Sequence, residues 1–301
     1  MLVKTFCPAH ITGFLEANIV QDSLYSGSKG AGFSTALGIT TIVNLKKSDK
    51  SKHKIYFNNV FSEAPVSNYV INLFEKLLKQ NFDISVDHRI SVPLNSGFGT
   101  SGAGALSLAL GINETLCQPL TRNEVVNIAH EAEIYCKTGL GTVIAENIGG
   151  FEIRTQAGVP GIGKIKKLSI NYNKYLAIIL HLGQLSTSDI LNNYNSSSNL
   201  NQLGSQLVQN FNDQPKINNF LKFSRKFFDN SNLFDKKLKK ILDILDTTGF
   251  TFSMAMFGKT LFSIIKINEI IEIEKVIKKL VKNNNQIIIT QFDTQGARLI
   301  S

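Results

Sequence analysis

The stretch SGFGTSGAGALSLAL, residues 96–110, places four glycines in the eight positions from Gly97 to Gly104, directly before an apolar run that favours a helix. Main-chain N–H groups at the start of a helix, together with the helix dipole, form a binding site for an anion. Glycines let this backbone approach the anion closely, because no side chain stands in the way. The stretch therefore predicts a phosphate-binding loop; the alternative is a glycine-rich turn before a small-residue helix packed tightly on a sheet.

Two common phosphate-loop patterns do not fit this stretch. The P-loop requires Gly-Lys-Ser/Thr after its glycines; the only GKT, at 258–260, lies in an apolar segment that lacks the opening glycine. The dinucleotide pattern GxGxxG is matched literally by Gly97, Gly99 and Gly102. However, the preceding strand segment ends at Pro93, no second strand follows promptly, and no acidic residue ends a strand about 20 positions later. We reject both patterns.

The net charge of +9 would suit a nucleic-acid-binding protein, but its distribution does not. The whole excess of lysine and arginine lies in residues 151–301, and its densest segment is FDKKLKKILDILDTT, residues 234–248. Lysines at 236, 237, 239 and 240 alternate there with leucine and isoleucine at helical spacing, which predicts the solvated face of an amphipathic helix. We therefore expect no nucleic-acid partner.

Other bulk features favour a soluble, cytoplasmic protein. Hydrophobic residues make up 43% of the chain, yet no run approaches the about 18 consecutive apolar residues of a membrane span. The N-terminal segment does not resemble a signal peptide. Cys7, Cys117 and Cys136 show no CxxC spacing, which predicts free thiols in a reducing compartment. We expect no membrane association.

Strand and helix segments are grouped along the chain rather than strictly alternating, which predicts an α+β fold. A helix is predicted to begin at Pro65, and another over 121–139, with a Thr121–Glu124 capping box and Gly139 as its terminator. β-Branched clusters separated by turn residues predict an antiparallel sheet from residues 1–10, 32–47 and 53–60, and the alternation of residues 83–93 predicts another strand. Further strands are predicted within 165–183, 250–265 and 286–300, with a polar loop at 191–202.

Six short segments occur along the chain in an order that matches one known family. They are CPAHITGF (7–14), GSKGAG (27–32), PLNSGFGTSGAGALSLAL (93–110), AHEAE (129–133), TGLG (138–141) and SMAMFGKT (253–260). The third resembles the PxxxGxGSSA phosphate loop of the GHMP kinase superfamily, in which the loop caps a helix N-terminus. Together the segments most resemble the archaeal pantoate kinase branch, and the resemblance covers nearly the whole chain.

The resemblance implies a two-domain GHMP kinase fold: an N-terminal domain of mixed sheet and helix over 1–160, and a ferredoxin-like C-terminal domain over 161–301. It implies ATP-dependent phosphorylation of the primary hydroxyl of pantoate, giving 4-phosphopantoate for coenzyme A synthesis. The expected ligands are ATP, magnesium and pantoate, and a homodimer is a possible assembly. The alternatives are another GHMP kinase, of the mevalonate or homoserine type, or a catalytically silent relative that binds nucleotide.

The resemblance also assigns residues to the nucleotide and its metal. Ser101 and Glu133 match the hydroxyl and the carboxylate that share magnesium, with Glu131 as the alternative if the helix is read two residues out of register. Magnesium favours a few hard oxygen ligands and retained waters, which suits such a pair together with phosphate oxygens. The triphosphate cradle is predicted from Pro93, Gly97, Phe98, Gly99, Thr100, Ser101, Gly102 and Ala103.

Substrate contacts are expected from the first two matching segments. Pantoate is a small acid with two hydroxyls, so we predict binding by Thr12, Ser28, Lys29 and Gly30, with Lys29 available for the carboxylate. The chain departs from many GHMP kinases at His10, where a lysine is usual, and at Thr142, where an aspartate commonly accepts the hydroxyl proton. The catalytic candidates are therefore His10, Asp22 and Thr142, and the sequence does not choose among them.

Overall fold

A computed structural model describes residues 2–184, 198–231, 236–256, 258–281, 283 and 286–300. Its strands are β1 (Leu2–Asn18), β2 (Gly27–Ser48), β3 (Lys52–Phe57), β4 (Val60–Phe61), β5 (Asn81–Ile90), β6 (Phe151–Gln156), β7 (Lys164–Lys167), β8 (Tyr175–His181), β9 (Ser253–Met254), β10 (Thr260–Lys266), β11 (Ile287–Thr290) and β12 (Arg298–Ile300). Its helices are α1 (Pro65–Leu78), α2 (Thr100–Thr115), α3 (Arg122–Cys136), α4 (Val143–Ile148), α5 (Ser198–Asp213), α6 (Ile217–Asp229), α7 (Lys236–Asp246) and α8 (Ile270–Leu280).

The first sheet has eight strands and is organised around the long strand β2. Its main path is β12-β1-β2-β5-β3-β4, and β6, followed by β7, pairs with the early part of β2. All pairs are antiparallel except β3 and β5, which run parallel. The β3–β5 pair is parallel because β4 and α1 form a crossover between the two strands that returns the chain in the same direction.

Helix α2 lies against this sheet and is buried over nearly its whole length. Small residues allow the close approach: a Cβ added at Gly111 would lie 2.6 Å from a methyl carbon of Val43 on β2. The buried hydroxyl of Ser107 on α2 is 2.6 Å from that of Thr41, also on β2. The glycine-rich segment before α2 is thereby held at one end of a rigid helix.

The second sheet has the order β11-β8-β10-β9, and every pair is antiparallel. If β8, β9, β10 and β11 are numbered 1 to 4, the order across the sheet is 4-1-3-2. Helices α5–α7 follow the first of these strands, and α8 follows the third. That is the ferredoxin-like arrangement, so the predictions of an α+β fold and of a ferredoxin-like second unit are confirmed. Strands β7 and β12 pair within the first sheet, although both follow residue 160.

Aromatic packing joins α5 and α6 to β1 and the neighbouring strands. Phe14 and Phe33, from β1 and β2, meet Phe151 of β6 and Phe211 and Phe220 of α5 and α6, with ring centroids 4.8–6.3 Å apart. Buried aromatic side chains contribute much of the hydrophobic stabilisation of such an interface. The cluster therefore fixes the first sheet against the helices that follow β8.

Local signals in the sequence account for several element boundaries. Helix α1 begins at Pro65 as predicted, and the predicted capping box between Thr121 and Glu124 forms at the start of α3. The prediction that Gly139 terminates α3 is wrong: the helix ends at Cys136, and Lys137 adopts the left-handed conformation of its C-cap. Gly139 is instead needed because an added Cβ would collide with the Glu133 carboxylate.

In α7 the predicted amphipathic pattern is confirmed for the described side chains. Leu238, Ile241 and Leu242 are buried, whereas Lys239 and Lys240 are exposed. The side chains of the lysines at 236 and 237, and the part of the predicted polar loop at 191–197, lie outside the described residues. No helix in the described ranges is both long and apolar enough to cross a membrane.

Candidate active site

The glycine-rich segment forms a tight loop that leads into α2. Gly99 is the N-cap of α2, with φ 63° and ψ 21°, and Gly97 has φ 82°. Both conformations lie in the left-handed region that favours glycine. As a glycine, the N-cap residue brings no side chain to cover the first N–H groups of α2, which otherwise lack partners within the helix.

Two other matching segments hold this loop in place. The His10 N–H donates to the Phe98 carbonyl at 2.9 Å, and the Met256 N–H donates to the Thr12 carbonyl at 3.1 Å. A Cβ added at Gly97 would lie 2.8 Å from the Met256 carbonyl oxygen. Segments 7–14, 93–110 and 253–260, far apart in the sequence, therefore meet at the start of α2.

A cavity of about 670 Å³ opens beside the loop. This is within the range of pockets that enclose a nucleotide-sized ligand. Hydroxyl, imidazole and carboxylate groups line the loop side, and one end is apolar. The residues predicted from the sequence that line it are His10, Thr12, Ser28, Gly97, Phe98, Gly99, Thr100, Ser101, Glu133 and Thr142.

The remaining predicted residues do not line this cavity. Asp22 is exposed in a turn, where its carboxylate accepts a hydrogen bond from the Leu24 N–H at 2.9 Å. Lys29 forms an ion pair with Glu16 at 3.0 Å and lines a separate cavity of about 160 Å³. Others outside the lining are Gly30, Pro93, Gly102, Ala103 and the alternative metal ligand Glu131.

Glu133 of α3 is fully buried beside the first turn of α2. Burial raises its pKa to about 7, whereas hydrogen bonds from the Thr142 hydroxyl and the Gly102 N–H favour the ionised form and lower the pKa. The Thr142 hydroxyl is 3.4 Å from the Glu133 Oε2. Ser101, at the start of α2, donates to the Thr138 hydroxyl at 2.8 Å. One acid and three hydroxyls thus lie together at the start of α2.

Sequence reasoning missed a second buried acid, Glu146 of α4. Neither of its carboxylate oxygens has a hydrogen-bond partner among the described residues. A Cβ added at Gly99 would lie 2.5 Å from its Oε1, and one at Gly102 would lie 2.7 Å from its Oε2. Burial and the nearby Glu133 raise its pKa well above the ordinary value. The available signal was one glutamate in the otherwise largely apolar segment TVIAENI.

A buried ionic network, also missed, lies behind His10. The Arg154 Nη1 donates to the Glu152 Oε1 at 2.7 Å, and that oxygen is 3.1 Å from the His10 Nε2. The His10 Nδ1 is 3.3 Å from the Thr12 hydroxyl. Burial lowers the pKa of His10, which favours the neutral imidazole, although Glu152 opposes this shift. Within the described chain, the Arg154 Nε and Nη2 have no hydrogen-bond partner.

The donor set beneath the loop fits a magnesium ion. Glu133 and Glu146 are buried beside the first turn of α2, and a bound cation would stabilise their ionised forms against the desolvation that raises both pKa values. Within the described chain, no group of three or more His, Cys, Asp or Glu side chains is arranged to hold a metal. Magnesium commonly takes one or two carboxylates and completes its shell with substrate phosphates and waters.

Comparison with known proteins places the chain in a family. A model of the GHMP kinases N terminal domain matches residues 67–160. The pantoate kinase of Methanocaldococcus jannaschii is 34% identical over 263 residues, 87% of this chain and 92% of that protein. The pantoate kinase of Thermococcus kodakarensis is 31% identical over 276 residues, 89% of each chain. This chain belongs to the pantoate kinase family.

A solved structure supports the same placement for this kinase. A phosphotransferase related to the CoA biosynthesis pathway is 27% identical, with a TM-score of 0.85, and the match covers 99% of this chain and 98% of that one. The family resemblance carried by the six sequence segments is thus confirmed, as is the GHMP kinase fold.

Proposed function

We propose that this kinase transfers the γ-phosphoryl group of ATP to the primary hydroxyl of pantoate, giving 4-phosphopantoate for coenzyme A synthesis. The observation that carries the proposal is the bare start of α2 beside a cavity large enough for both reactants. The relatives named pantoate kinase match along most of their length, which favours pantoate over the other GHMP substrates. The mevalonate, homoserine and silent-relative alternatives are decided by the assays below.

The nucleotide is expected to lie along the loop. Main-chain N–H groups of residues 97–101 would hold the triphosphate, aided by the α2 dipole. The N–H groups of Gly102 and Ala103, also predicted from the sequence, already donate to Glu133 and to the Gly99 carbonyl. Ser101 and Glu133 would hold magnesium, which supplies positive charge against the phosphate oxygens when bound. The adenine ring suits the apolar end of the cavity, which is lined by Phe57, Ala64, Val66 and Ile90.

Pantoate is expected beside β1 and the start of β2. Thr12 and Ser28 line the cavity there and offer hydroxyls to the substrate. Arg154 is fully buried and does not line the cavity itself; it lies opposite Gly30 in the register of β2 and β6, two positions along β2 from Ser28. Because its Nε and Nη2 have no hydrogen-bond partner in the described chain, we assign the substrate carboxylate to Arg154, in place of the ion-paired Lys29.

Phosphoryl transfer depends mainly on positioning and charge stabilisation. Of the three catalytic candidates, His10 and Thr142 line the cavity and Asp22 does not. We assign proton acceptance to His10, since burial favours its neutral form and Glu152 orients the ring. Thr142 then acts by donating to Glu133 and fixing that carboxylate.

The test is pantoate-dependent ADP formation, with the product identified by ³¹P NMR. We expect Ser101→Ala and Glu133→Gln to lower kcat by about 100-fold or more, as for other residues that stabilise transition-state charge, with thermal unfolding still cooperative. Mevalonate and homoserine are assayed in parallel. Turnover of either, but not of pantoate, would overturn the substrate assignment; nucleotide binding without any phosphorylated product would indicate the silent relative.

Four further expectations from the sequence stay predictions. They are the division into domains 1–160 and 161–301, a cytoplasmic location, a homodimer, and the absence of a nucleic-acid partner. The last is checked by the salt dependence of retention on DNA or RNA. A steep dependence would indicate phosphate contacts and would contradict it.

A further inference from the structure

The side chains at positions 142 and 146 lie one helical turn apart and both face Glu133. Residues four apart in a helix are neighbours on its surface. Thr142 is in hydrogen-bond contact with the Glu133 Oε2. The oxygens Glu133 Oε2 and Glu146 Oε2 lie 3.0 and 2.7 Å from the position of a Cβ on Gly102, so they are at most about 6 Å apart. Two buried carboxylates therefore flank one point of the first turn of α2.

The two acids are unfavourable as a pair of charges unless a cation lies between them. A buried carboxylate without a hydrogen bond or counter-ion carries a large desolvation cost. Glu146 has no hydrogen-bond partner among the described residues, and the nearby Arg154 already donates to Glu152. Because Gly99 and Gly102 have no side chains, the Glu146 carboxylate oxygens lie directly beside the backbone at the start of α2.

We propose that Glu146 is a second carboxylate ligand, together with Glu133, of the divalent cation that accompanies the nucleotide. The inference rests on the proposed function, because ATP brings the cation and the remaining phosphate ligands. In this proposal α4 contributes a metal ligand, and cation binding accounts for a buried acid that has no hydrogen-bond partner in the described chain. Position 142, the N-cap of α4, also contacts Glu133 and is a second place from which a carboxylate would approach this point.

The test measures cation binding without turnover. Mn²⁺ is titrated into the protein in the presence of a non-hydrolysable ATP analogue, without pantoate, and free Mn²⁺ is followed by EPR. We expect Glu146→Gln to weaken Mn²⁺ binding by about tenfold or more, with thermal unfolding of the metal-free protein still cooperative. The matched control is Glu272→Gln, the same change at an exposed position in the first turn of α8, which should leave the Mn²⁺ affinity and the cooperative unfolding unaltered.

A second variant transfers the carboxylate by one helical turn. Thr142→Asp combined with Glu146→Gln should recover most of the lost Mn²⁺ affinity, which a merely structural role for Glu146 would not produce. Unchanged Mn²⁺ affinity in Glu146→Gln, alongside a loss in Glu133→Gln, would overturn the inference. Pantoate turnover by the wild-type protein is measured separately, so failure of this inference is distinguishable from failure of the proposed function.

Discussion

Replacing Gly97 by alanine tests whether the loop geometry holds the nucleotide. At φ 82° an alanine costs about 1 kcal/mol of conformational energy. Its Cβ would lie 2.8 Å from the Met256 carbonyl oxygen, where ordinary contact begins at 3.4 Å, so the backbone must shift by about 0.6 Å. Misplacement by 1 Å can cost about 100-fold in rate, and we expect kcat/KM for ATP to fall by about tenfold or more.

The matched control is Gly249→Ala. Gly249 has φ 78°, and a Cβ there would meet nothing within 4 Å. Both variants should lose similar conformational energy, about 2 °C in Tm for a chain of this size, but only Gly97→Ala should lose affinity for ATP. The assays are coupled ADP release at saturating pantoate, calorimetric titration with an ATP analogue, and thermal unfolding. Equal ATP affinity in the two variants would refute the role given to the loop.

Two further predictions concern buried charge. His88 lies in a buried network with Thr41 and Ser67, and burial lowers its pKa from 6.5 to about 4. As pH falls, the unfolded chain therefore binds this proton before the folded protein does. The free energy of unfolding should fall by about 1.4 kcal/mol per pH unit between pH 6.5 and pH 4. In urea titrations His88→Gln should remove this contribution to the pH dependence, and an unchanged pH dependence would contradict the lowered pKa of His88. Arg154→Lys should raise the KM for pantoate by about tenfold and leave the KM for ATP unchanged, because lysine lacks the planar guanidinium that binds a carboxylate through two N–H groups. Lys29→Met should alter neither KM. The opposite pattern would restore Lys29 as the carboxylate ligand.

Local sequence signals specified much of this molecule. Pro65 and the Thr121–Glu124 capping box set helix starts through contacts within a few residues. The glycines at 97 and 99 indicated a bare backbone before α2, and in the structure both adopt the left-handed conformation that glycine favours. Such features need no knowledge of which distant segments meet.

The missed residues depend on contacts between distant segments. Glu152 reaches His10 across 142 positions, and only the pairing of β6 with β2 brings Arg154 opposite Gly30. In the sequence, the alternation of FEIRT shows that Glu152 and Arg154 share a face of a strand but not which face is buried. Glu146 reads as ordinary helix-surface charge until α4 is placed beneath the loop.

The most direct measurement is a crystal structure of the kinase with magnesium and a non-hydrolysable ATP analogue. We expect the β- and γ-phosphates within hydrogen-bond distance of main-chain N–H groups at residues 97–101, with the cation beside Ser101 and Glu133. A nucleotide bound elsewhere, with the start of α2 making no phosphate contact, would contradict it.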